Sequence, residues 1–124
     1  MTQIKVEVEF EFTPDMVDQI LVTAFDGNYG GSLYWADVLE LKKENHPYGR
    51  SDMWSVILIQ DKEDGQKHWV DKERLARGLK LYIENDMISE DHLADTINSV
   101  TTDFDANDAD HIVQMSIFEE IQYG

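Results

Sequence analysis

Apolar and polar residues alternate strictly from Ile4 to Phe12. Ile4, Val6, Val8, Phe10 and Phe12 fall on one side of an extended chain, and Lys5, Glu7, Glu9 and Glu11 fall on the other. A period of two with one charged side is the pattern of a half-buried strand. The period changes at Thr13-Pro14-Asp15. Thr13 suits a helix N-cap, Pro14 the first helical position, and Asp15 the positive end of the helix dipole. Val17, Ile20, Leu21, Ala24 and Phe25 then recur at helical spacing, until three glycines in five residues (Gly27, Gly30 and Gly31) break the pattern before Ser32.

A second helix is expected over residues 33–44, with Leu33, Tyr34, Trp35, Ala36, Val38 and Leu39 as its apolar content and Asn45-His46-Pro47-Tyr48-Gly49 as its stop. Residues 53–60 are rich in β-branched and apolar side chains. Asp61-Lys62-Glu63-Asp64-Gly65 and a return strand from Gln66 to Val70 follow, which together read as a β-hairpin. Asp71 caps a helix over residues 72–85 whose buried stripe is Leu75, Leu79, Tyr82 and Ile83. Ser89 opens a short helix carrying Leu93, Ala94 and Ile97. Asp105 caps the last helix, where Ala109, Ile112, Val113, Ser116, Ile117 and Ile121 share a face.

The order β-α-α-β-β-α-α-α, with no internal repeat and no long linker, predicts one α+β domain over residues 1–124. Its sheet is expected to be small and mainly antiparallel. The N-terminal strand and the central β-hairpin would build that sheet, and several helices would pack against it.

Charge adds a second layer. Acids number 26 and bases 10, a net charge of −16. Residues 86–124 contain ten acids and no Lys or Arg. These acids are interleaved with Leu93, Ile97, Val100, Phe104, Ile112, Val113, Ile117, Phe118 and Ile121, so they predict folded helices with an acidic outer face rather than a disordered tail. Such charge argues against direct nucleic-acid binding, which needs cations to displace phosphate counterions, and against docking on anionic membranes. It fits plain solubility or a basic partner. Four of the ten bases, Lys72, Arg74, Arg77 and Lys80, lie on one predicted helix. That helix is expected to touch acids of the last helices, within the chain or from a second copy, which leaves a homo-oligomer open.

Candidate chemistry is sparse. The absence of cysteine excludes disulfide scaffolds, Cys-ligated zinc, iron–sulfur clusters and thiol catalysis. No apolar run approaches the ~20 residues of a membrane-spanning helix, and Met1-Thr2-Gln3 opens no signal peptide, so a cytoplasmic protein is expected. From Asp103, the run Asp103, Asp105 and Asn107 matches the first positions of an EF-hand loop, but Asp108 stands where glycine is needed and Gln114 where the bidentate glutamate is needed. His46, His68, His92 and His111 form no zinc-binding spacing. The glycine loop lacks the Gly-Lys-Ser/Thr of a phosphate loop, and no serine stands in a nucleophile elbow. The reading is a non-enzymatic protein with no metal and no cofactor. Tyr29, Tyr34, Trp35 and Tyr48 gather around the first loop, as packing residues or as the rim of a pocket.

Two segments carry a resemblance. One runs from Ile20-Leu-Val-Thr-Ala-Phe-Asp-Gly through Gly30-Gly31-Ser32-Leu33-Tyr34-Trp35-Ala36-Asp37. The other is the ending from Asp105 through Gln114 and Phe118 to Tyr123-Gly124. Together they resemble a group of small uncharacterised proteins encoded by bacteriophages and prophages. Those share a T-A-L-E-G-G…Y-W segment and an ending similar to D-A-D…Q-A-L-F-G-E-I-V-Y-G. This chain departs from them with Glu119-Glu120 where Gly-Glu is usual, and with Asp26-Gly27-Asn28-Tyr29 as extra loop residues. The resemblance implies a phage origin, the cytoplasm of an infected bacterium, and no catalytic residue.

Residues and resemblance together give one leading expectation. It is a binding protein whose acidic face, with Asp103, Asp105, Asp108 and Asp110, occupies a basic nucleic-acid-binding surface of a host or defence protein. The rival expectation is a small-ligand or regulatory module with a pocket at Tyr29, Tyr34, Trp35 and the glycine loop.

Overall fold

The computed structural model describes residues 12–28, 30–44, 53–85 and 104–124, and among these it has three helices and a three-stranded antiparallel sheet. In chain order the described elements are α1 (Pro14–Phe25), β1 (Ala36–Glu44), β2 (Met53–Asp61), β3 (Lys67–Val70), α2 (Lys72–Glu84) and α3 (Ala106–Phe118). The architecture is α+β, with sheet order β1-β2-β3 and both pairings antiparallel. The alternating segment before Phe12 and the helix expected at Ser89 lie outside the described residues.

Local chemistry accounts for the helix boundaries. The Thr13 side chain accepts the Met16 N–H at 3.3 Å, with Pro14 as first helical residue. Asp71 accepts the Arg74 N–H at 2.9 Å and starts α2. Asp105 and Asp108 form a reciprocal capping box at the start of α3.

The helix expected over 33–44 is not there. Residues 31–35 make one turn, in which the Trp35 and Ala36 N–H groups both reach Ser32 O. From Ala36 to Glu44 the chain is β1, paired from Ala36↔Asp61 to Glu44↔Met53. Leu, Glu and Lys are good helix formers, but their preference amounts to tenths of a kcal/mol per residue. Leaving the β2 edge without backbone partners would cost more. The strand is concealed in the sequence because its register shifts between Val38 and Glu40. Leu39 is the extra residue of that bulge, and it breaks the period of two.

α1 and α3 pack over β2 and β3, with α2 against α3. Ile57, Ile59 and Val70 of the sheet meet Ile20, Leu21, Ile112 and Val113 of the helices in one core. α3 is the hub. Every residue from Ile112 to Ser116 is buried, as are Ala109 and Asp110. The expectation of an acidic outer face on this helix is therefore corrected: α2, α1 and β3 leave it little outer face to present. The α2–α3 contact is made close by Gly78, where a Cβ would stand 2.5 Å from Ile112 O and 2.7 Å from Ser116 Cβ. Arg77 of α2 pairs with Glu119, just beyond α3, which is the base-to-acid contact expected of that helix.

Candidate functional site

The glycine loop leads into the most polar part of the interior. Gly31 N–H and Ser32 N–H donate to Thr23 O and Ala24 O, so the loop satisfies carbonyls at the open end of α1. Gly31 also lies against α3, where a Cβ would meet Ala106 O at 2.3 Å. This docking aims Ser32, Tyr34 and Trp35 at one carboxylate, that of Asp110.

Asp110 is 3 % exposed. One oxygen accepts Ser32 Oγ at 2.8 Å and Trp35 Nε1 at 2.7 Å, and the other accepts Tyr34 O–H at 2.7 Å and Gln114 Nε2 at 3.0 Å. A buried carboxylate costs several kcal/mol unless its lone pairs are met. Here four donors meet them. Lost solvation of the hydroxyl, together with its hydrogen bond to Asp110, pushes the Tyr34 phenol up to about 12.

Gln114 extends the network to the end of the described chain. Its Oε1 accepts the N–H groups of Gln122 and Tyr123, both at 2.9 Å, and its Nε2 donates to Tyr123 O at 3.1 Å. The Tyr123 ring stacks on Trp35 at 5.2 Å, and its O–H donates to Asp61 at 2.7 Å. That bond, with burial second, pushes the Tyr123 phenol upward. Asp61 is 1 % exposed and also accepts the Glu63 N–H, so it organises the hairpin turn from inside.

The expected site residues therefore separate. Asp103 and Tyr29 lie outside the described residues. Asp105 is exposed but serves as the N-cap, and Asp108 completes the capping box and accepts the Tyr82 hydroxyl. Burial, then Asp108, pushes the Tyr82 phenol upward. Asp110 points inward, because a helix turns about 200° over two residues. Asp105, Asp108 and Asp110 do not form a row of exposed carboxylates. Trp35 likewise lines no open pocket: it is 3 % exposed, with Tyr123 and Phe118 packed on its indole. Tyr34 is 53 % exposed, with its hydroxyl turned to Asp110.

Sequence reasoning gave no role to Ser32, Gln114, Tyr123 or Asp61. The first three lie in the two segments 20–37 and 105–124, which meet in space at Asp110. A cavity of about 390 Å³ lies elsewhere, between the starts of α1 and α2 and the first half of β2. Among the described residues, no group of three or more metal-ligating side chains is placed to hold an ion, and no helix is long and apolar enough to cross a membrane. Comparison of the chain with family models, curated proteins and solved structures gives no match.

Proposed function

We propose that this protein is a non-enzymatic binding protein, made in the cytoplasm of a phage-infected bacterium, that engages a basic surface of a host or defence protein. The observation that carries the reading is a net charge of −16. Ion pairs on the described surface join Lys62 to Asp37, Arg77 to Glu119 and Lys80 to Glu84, all between exposed side chains. Glu44, Glu63, Asp64, Asp71, Glu73 and Glu120 are also exposed. Such a surface attracts a basic partner from a distance and repels nucleic acid and anionic lipid. The phage origin rests on the resemblance of the two segments. Asp110 has no part in the binding face, and the rival pocket at Tyr34 and Trp35 loses its basis because Trp35 is packed.

The test is affinity capture from bacterial lysate at low salt on the immobilised protein. The expected catch is basic nucleic-acid-binding proteins, released by about 1 M salt and competed by duplex DNA. A catch indifferent to both salt and DNA overturns the reading.

A further inference from the structure

The cavity between α1, α2 and β2 is separate from the Asp110 network and shares no lining residue with it. Its inner wall is apolar, with Val17 and Met53 each 3 % exposed and the half-buried Trp54 beside them. Exposed Glu44, Asp71 and Glu73 stand on its rim, with Lys72 as the cation among the described lining residues. A volume of about 390 Å³ is at the small end for ligand sites and suits one long side chain.

Two helix N-termini open on this cavity, and each contributes roughly half a positive charge. With Lys72 they offset two of the three rim carboxylates, and Asp15 beside Pro14 adds a further negative charge nearby. Among the described residues the balance stays negative, over an apolar wall that contains an indole. A neutral apolar side chain makes no use of the carboxylates, and an anion meets repulsion from them. A guanidinium on an alkyl stem matches all three features: the stem against Val17 and Met53, the planar cation at the Trp54 ring, and hydrogen bonds to the rim carboxylates.

Resting on the proposed function, we infer that this cavity is the anchor site for an arginine side chain of the basic partner. The acidic surface then provides attraction at a distance, and the cavity provides the specific contact.

The test uses a hexa-arginine peptide and its hexa-citrulline counterpart, which keeps the shape and lacks the charge. Binding is followed by the indole N–H resonance of Trp54, assigned from Trp54→Phe. The arginine peptide should shift that resonance saturably and the citrulline peptide should not. Glu44→Gln with Glu73→Gln should weaken binding about tenfold. Ser55→Phe adds a bulky ring at a residue that lines the cavity without changing any charge, and should weaken binding similarly. If the arginine peptide binds but leaves Trp54 and Met53 resonances unmoved, or binds folded Ser55→Phe as it binds wild type, the anchor site is overturned and the charge-led function stands. If the arginine peptide does not bind wild type at low salt, both fall. Should Ser55→Phe fail to fold, the wild-type Trp54 and Met53 shifts alone decide.

Discussion

The indole N–H of Trp35 donates to the Asp110 carboxylate at 2.7 Å, joining residues 75 apart in sequence. Around this bond the glycine loop, α3 and residues 122–123 are tied together. The loop brings Ser32 and Tyr34 to the same carboxylate, and Gln114 carries the connection to Tyr123.

Removing that carboxylate should therefore cost far more than an ordinary surface substitution. Asp110→Ala leaves four donors facing an apolar gap and should destabilise by about 3–5 kcal/mol, read from the urea midpoint. Asp110→Asn keeps the shape but turns an amide N–H₂ toward donors, and should lie between Ala and wild type. Near-UV circular dichroism should show Trp35 losing its fixed environment in the Ala variant. An Asp110→Ala protein as stable as wild type would show that the network contributes nothing net.

The α2–α3 crossing offers a steric test. Gly78→Ala places a methyl 2.5 Å from a backbone oxygen, and the helices must separate to admit it. A loss of about 2–3 kcal/mol is expected, against a small gain in helix propensity. Gly27→Ala, where nothing lies within 4 Å, is the control and should stay within about half a kcal/mol. Thermal unfolding of the two variants side by side decides it.

Glu119 occupies the left-handed region with φ 61° at the C-terminus of α3. An L-residue with a Cβ is strained there by roughly 1–2 kcal/mol, and glycine is not. Glu119→Gly gives up an exposed pair with Arg77, worth at most about 1 kcal/mol. The variant should be more stable by about 0.5–1 kcal/mol in chemical denaturation.

Stability should also depend on pH at both ends. The Tyr34 hydroxyl has its folded pKa raised from 10.0 to about 12. Its contribution is complete below pH 10 and is lost as pH rises through 12. Tyr82 and Tyr123 are shifted in the same direction and steepen the fall. The His68 imidazole is lowered from 6.5, by burial first and by Arg74 second. Its contribution is present above pH 6.5 and declines as pH falls below it. Urea midpoints should be flat between these limits. Tyr34→Phe should shallow the alkaline fall, and His68→Gln the first part of the acid one.

The first helix was readable to the residue, because Thr13 and Pro14 announce it through chemistry within one turn. The same holds for the caps Asp71 and Asp105, and the β2–β3 hairpin was readable to within one residue at its turn. β1 was not readable: Leu39 sits in a bulge, and its neighbours prefer helix until β2 supplies their hydrogen bonds. Arg77 and Glu119 met as the charge pattern indicated.

Net charge, absence of cysteine, the capped helices and the α+β class follow from the sequence by itself, since each depends on composition or on residues within a turn of one another. The direction in which each carboxylate faces does not. Asp105, Asp108 and Asp110 look alike as a run of acids, yet one caps, one closes the capping box and one is buried under four donors. Only tertiary packing decides this, because the donors to Asp110 are Ser32, Tyr34 and Trp35, which arrive from the far side of the chain, and Gln114, whose position one turn along is fixed by the same helix. The cavity likewise exists only where two helix starts and a strand meet. A local pattern records which charges the chain has, and the long-range contacts determine which of them water ever sees.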